Sequence, residues 1–128
     1  MDKSLIAFLN PERKENLKLA INRDTEGNPL VWEFKDLPAK ESMEIARRYA
    51  NNTGEVLQAQ VAHACVRPPL KDQEFLEALS NRVGRTILDP TEALYALLQG
   101  SELTTLMAAY LEYFQGDSFV KMIENAKN

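Results

Sequence analysis

The chain predicts an α+β domain that is mostly α-helical, with an N-terminal two-stranded β-hairpin packed against about five helices. Three observations carry this reading. Apolar residues alternate with a period of two only between residues 17 and 36. Beyond Pro38 they recur instead at spacings of three and four, which is helical. Glycine, asparagine and proline then cut that second region into helix-length pieces.

Each element can be justified in order. Residues 1–16 combine an apolar cluster, Leu5, Ile6, Phe8 and Leu9, with the charged run from Pro11 to Asn16. They read as a short docking segment followed by a solvated linker, ahead of a single domain over residues 17–128. Leu17, Leu19 and Ile21 alternate with Lys18, Ala20 and Asn22, the pattern of a half-buried strand. Leu30, Trp32 and Phe34 form the apolar face of a second strand, and residues 24–29 between them hold Gly27 and Asn28, which tolerate a tight turn. The hairpin therefore spans residues 17–36, with helices over 38–128.

Pro38 precedes a helix that carries Glu41 in its first turn, where the helix dipole favours an acid. Its stripe is Met43, Ala46 and Ala50, flanked by Ile45 and Tyr49, and residues 51–54 end it. The next helix starts near Glu55, shows Leu57, Val61, Ala64 and Cys65 on one face, and stops at Pro68-Pro69. A shorter helix from about Lys71 carries Phe75, Leu76 and Leu79, with Ser80 to Gly84 as a loop. Asp89, Pro90 and Glu92 are a strong helix start; Leu94, Leu97 and Leu98 give that helix its buried face and Gly100 its end. Ser101 can cap the next helix, whose stripe runs through Leu103, Leu106, Met107, Tyr110, Leu111 and Phe114. After a break at Gly116 to Ser118, Phe119, Met122, Ile123 and Ala126 resume the pattern.

Composition narrows the function classes. The chain has 128 residues, of which 45% are hydrophobic and 27% charged, values that suit one globular core rather than a disordered chain. Its formal charge of -4 argues against a surface built to neutralise phosphates, so nucleic acid is a poor partner. No apolar run approaches the roughly 20 residues that cross a bilayer, so no membrane partner is expected. One cysteine permits no internal disulfide.

The candidate chemistry is thin. On a helix, His63 and Cys65 would point about 200° apart, which excludes a shared metal or a Cys–His catalytic pair. Asp72, Glu74 and Glu77 are explained by solvated charge. The scattered glycines form neither a P-loop nor a dinucleotide fingerprint. No catalytic residue, metal site or cofactor is expected. Tyr95 and Tyr113 lie off the apolar stripes and suit exposed interface anchors.

The order of segments nonetheless resembles a known family. The hairpin carries Ile21-Asn22-Arg23, Glu26-Gly27-Asn28-Pro29 and Trp32-Glu33-Phe34, and an acidic helix start follows at Glu41. Val66-Arg67-Pro68 then leads to Leu70-Lys71-Asp72, and later to Leu97-Leu98-Gln99-Gly100-Ser101-Glu102. Over about residues 3 to 116 this resembles the XkdN-like tail assembly chaperones of long-tailed phages and prophages. The chain departs from their pattern in placing Ser101 between Gly100 and Glu102.

The resemblance implies a non-enzymatic protein of the bacterial host cytoplasm that is missing from the mature virion. Its implied partners are the tape measure protein and the tail tube protein, and self-association is compatible with the same role. No binding residue carries over from the family. The residues' own pattern offers Tyr113, Phe119, Met122 and Ile123 as a partner surface, because that last stripe is short and follows a glycine break. Two other classes compete: a structural virion component, such as a tail-completion or head-tail joining protein, and a small DNA-binding regulator.

Overall fold

The computed structural model describes residues 1–116. Among these the chain is α+β and mostly helical, with six α-helices beside a three-stranded antiparallel sheet. Strands β1 (Leu17–Arg23) and β2 (Pro29–Phe34) form the expected hairpin, with Leu17 opposite Phe34 and Leu19 opposite Trp32. Its turn is closed by Asp24, whose Oδ1 accepts the backbone N–H of Glu26 and of Asn28, each at 2.9 Å. Gly27 supplies the positive φ of +86° that this turn needs.

Trp32 and Phe34 point into the core, as their alternation predicts, and stack with ring centroids 6.3 Å apart. The indole N–H of Trp32 donates to Asn22 Oδ1 at 3.0 Å, so its one polar atom is paired. Leu30, beyond the register shift between Ala20 and Asn22, stays exposed.

Helix α1 (Lys3–Ile6) and the 3₁₀ turn Ala7–Leu9 come before the hairpin, and α2 (Ala39–Arg48) after it. The face of α2 differs from the predicted one. Ile45 is the side chain it buries, while Met43 is 56% exposed, so the stripe is rotated from Met43, Ala46 and Ala50. Helix α3 (Thr53–Ala64) begins two residues before the expected Glu55, since Asn52 Oδ1 accepts the N–H of Glu55 at 3.2 Å and caps it. Its buried Ala59, Ala62 and Ala64 are small enough for close approach, and its main neighbour is α5 (Pro90–Leu97).

The chain leaves α3 earlier than periodicity suggested. Cys65 has extended dihedrals and opens a third strand, β3 (Cys65–Arg67), which pairs with β2 through Cys65 opposite Phe34 and Arg67 opposite Glu33. Cys65 is therefore not a helical residue, and the sheet has one strand more than the hairpin. Pro68 disfavours helix at Arg67, and the open edge of β2 takes the extended segment.

Helix α4 (Gln73–Val83) is also longer than expected, since Ser80 to Val83 continue it. It ends at Gly84, which has φ +77° and donates its N–H to Ser80 O at 2.9 Å. Helix α5 (Pro90–Leu97) starts as predicted, with Asp89 Oδ1 accepting the Thr91 N–H at 2.7 Å.

Gly100 does not end α5 but is the first residue of α6 (Gly100–Leu111), and the cap is Gln99 rather than Ser101. Glu102 reaches back to accept the Gln99 N–H at 2.7 Å, which fixes the start. A π-helical turn, Glu112–Gly116, follows α6. The α6 stripe is core: Leu106 and Tyr110 are buried, with Leu103, Met107 and Phe114 packed beside them. Tyr110 meets Phe34 edge to face at 6.4 Å and donates its hydroxyl to Lys35 O, which joins α6 to the end of β2.

Candidate functional site

A concave surface lies along α4. Asp72 caps this helix by accepting the Phe75 N–H at 3.0 Å, and the helix directs Leu76 and Leu79 inward and Glu77 and Asn81 outward. Past Gly84 the chain turns back, and residues 86–88 run along the flank of α4. Ser80 holds them there. Its hydroxyl accepts the backbone N–H of Ile87 at 2.8 Å and donates to Leu76 O at 2.7 Å.

In an extended segment consecutive side chains point to opposite sides. With Ile87 buried at 1% exposure, Leu88 is thrown outward and is 82% exposed. The result is a groove of about 640 Å³ with Leu76 and Ile87 in its floor, Leu88 at its lip, and Lys71, Glu77 and Asn81 around the rim. Leu76 and Ile87 are almost fully buried, so the apolar surface available to a partner here is that of Leu88, set in a polar surround.

The second unpartnered apolar feature is the N-terminal segment. Asp2 caps α1 by accepting the N–H of Ser4 at 3.2 Å, yet none of the helix is buried. Leu5, Ile6, Phe8 and Leu9 are between 48% and 78% exposed.

The linker behind this arm is held rather than solvated along its whole length. The Lys14 ammonium lies 4.2 Å from the centroid of the Tyr113 ring and donates to Tyr113 O. The Tyr113 hydroxyl donates to Glu15 O at 2.9 Å, and Asn16 donates to Glu33 at 2.9 Å.

Of the residues offered from sequence as a partner surface, Tyr113 is half-buried and engaged with the chain's own linker and with Phe114. Phe119, Met122 and Ile123 lie outside the described residues. Tyr95 is half-buried as well, with its hydroxyl donating to Gln58. Leu88 and Ser80 were missed, although Ile87-Leu88 ahead of the Asp89 cap signals an extended segment that can bury only one of the two.

Little in the described residues supports catalysis. Cys65 donates its thiol to Pro68 O at 3.2 Å, and burial pushes its pKa up to about 12, far from a nucleophile at neutral pH. Desolvation by burial holds His63 below its ordinary value, assisted by the positive charge of Lys71. Lys71 pairs with Glu41 at 2.8 Å, and this hydrogen bond lowers the Glu41 pKa. Among the described residues no three His, Cys, Asp or Glu side chains group to hold a metal, and no helix is long and apolar enough to cross a membrane.

No protein-family model matches the chain, and no curated protein matches it. The fold is similar to that in a structural-genomics crystal structure of the protein YqbN, with a TM-score of 0.62 and 22% sequence identity, over 88% of this chain and 95% of that one. This likeness extends over nearly all of both chains and establishes a shared fold.

Proposed function

We propose that this protein is a tail assembly chaperone of the XkdN-like type, which holds the tape measure protein of a long-tailed phage or prophage while the tail tube assembles around it. The observation that carries the reading is the α4 groove. Its exposed Leu88 lip lies beside a concave, polar-rimmed surface on an acidic body, a combination suited to receiving an apolar side chain of a long helix while keeping the complex dispersed. The order of sequence signatures supports the same reading.

The role is non-enzymatic and belongs to the cytoplasm of the bacterial host, with the protein left out of the finished particle. Co-expression with the tape measure protein tests it. The expected result is more soluble tape measure protein and a joint peak on gel filtration. Unchanged solubility with separate elution would remove the proposal, and recovery of this chain from purified particles by mass spectrometry would make it a structural virion component instead.

A further inference from the structure

We infer that the long helix received by the α4 groove carries a lysine or arginine within one or two turns of its apolar anchor, so that the anchor meets Leu88 while the cation meets Glu77. This rests on the chaperone role proposed above and specifies the helix that the role requires.

Charge on the rim decides the partner's chemistry. Two ionisable side chains line the groove, Lys71 and Glu77. The Lys71 ammonium is already neutralised by Glu41 at 2.8 Å, whereas the Glu77 carboxylate accepts only the neutral amide of Gln73, at 3.2 Å. Glu74 lies three residues before Glu77 on α4 and so flanks it on the helix surface. Neither carboxylate is in an ion pair among the described residues. The outer flank of α4 thus sets two uncompensated negative charges beside the exposed Leu88.

A purely apolar stripe uses this surface poorly. Leu76 and Ile87 are almost fully buried, so Leu88 supplies the apolar contact alone. An uncharged helix docked here strips water from Glu77 and returns nothing, and an acidic one places like charges side by side. A cation reverses both effects, and the apolar stem of a lysine or arginine can lie along Leu88 while its head stays wet. Residues one turn apart on a helix are separated by about 5.4 Å along its axis, a step that fits within a groove of about 640 Å³ lined by both Leu88 and Glu77.

The test uses two fluorescein-labelled amphipathic helical peptides with the same apolar stripe, one flanked by lysines and the other by glutamates at the same positions. Each is titrated with the full chain at low salt and followed by fluorescence anisotropy. The lysine peptide should bind more tightly by about fivefold, the size expected of exposed charge pairs. That gap should close near 1 M salt, where the screening length falls to about 3 Å. Glu74→Lys with Glu77→Lys should reverse the preference, and Leu88→Ser should weaken both peptides. Equal binding of the two peptides, or a preference that survives the charge reversal, overturns the inference and leaves the groove as the docking site. Binding of neither peptide, or binding that Leu88→Ser does not change, overturns the inference together with the groove reading beneath it.

Discussion

The Ser80 hydroxyl accepts the backbone N–H of Ile87 at 2.8 Å and so ties to α4 the segment in which one of two adjacent apolar residues enters the core. Ile87 is buried and Leu88 is presented to solvent. A groove that exists because of a half-buried side-chain bond is sensitive to it. Ser80→Ala leaves the Ile87 N–H without its partner and should cost about 1–3 kcal/mol in chemical denaturation. The amide of Ile87 should also exchange with deuterium faster, relative to the core of α3. An unchanged exchange rate would show that packing alone holds residues 86–88.

Two glycines predict opposite signs. Gly84 has φ +77°, so Gly84→Ala should destabilise by about 1 kcal/mol even though a methyl group there meets nothing within 4 Å. Gly100 begins α6 without a positive φ and also has open space at its Cβ position, so Gly100→Ala should stabilise by about 0.5 kcal/mol. Thermal melts of the two variants check the pair, and equal shifts of the same sign would contradict the assigned boundary of α6.

Burial of two weak acids sets a limit at alkaline pH. Cys65 and Tyr110 are each pushed up to about 12 by desolvation, so the folded protein keeps their protons where the unfolded chain releases them. Above the ordinary thiol value of 9.0 the unfolded state therefore binds fewer protons, and stability should fall as pH rises from there towards 12. At pH 8 the native thiol should react with a disulfide reagent far more slowly than in denaturant. Equal rates would mean that Cys65 is accessible in the folded state.

The Tyr113 clasp can be released without touching the core of the sheet. Tyr113→Ala removes the ring under Lys14 and the hydroxyl that donates to Glu15 O. The cation–π contact is worth about 0.5–1 kcal/mol, and the ring also packs on Phe114 at 4.8 Å, so the melting temperature should fall by a few degrees with the fold retained. Trypsin cleavage after Arg13 and Lys14 should accelerate several-fold. If cleavage is already rapid in the unmodified protein, the clasp does not hold the linker.

Much of the architecture was legible because it rests on local periodicity. The alternation through Leu17, Leu19, Trp32 and Phe34, the Asp89-Pro90 start and the α6 stripe each follow from residues close in sequence. What escaped depends on distant partners. Cys65 to Arg67 form a strand only because β2 lies beside them, and α2 shows Ile45 rather than Met43 to the core because of where its neighbours sit. Gly100 was misplaced because a glycine suits a helix end, yet Glu102 can fold back on Gln99 and start one there.

The site was less legible than the fold. Tyr113 was singled out as a lone tyrosine off the stripe, but its partners, Lys14 and Glu15, lie almost the whole chain away. Leu88 carries no motif and is distinguished only by the bond between Ser80 and Ile87. The local sequence signals that only one of Ile87 and Leu88 is buried, and which one is a tertiary property that no window around Leu88 contains.

The most direct test of the central claim is the amount of tape measure protein that stays soluble when co-expressed with the unmodified chain and with Leu88→Asp. Leu88 is 82% exposed, so the substitution should change stability by no more than about 0.5 kcal/mol and leave the fold intact. The account predicts that the unmodified chain keeps the tape measure protein in solution and that Leu88→Asp, though equally folded, fails to. Equal rescue by both chains, or rescue by neither, would contradict it.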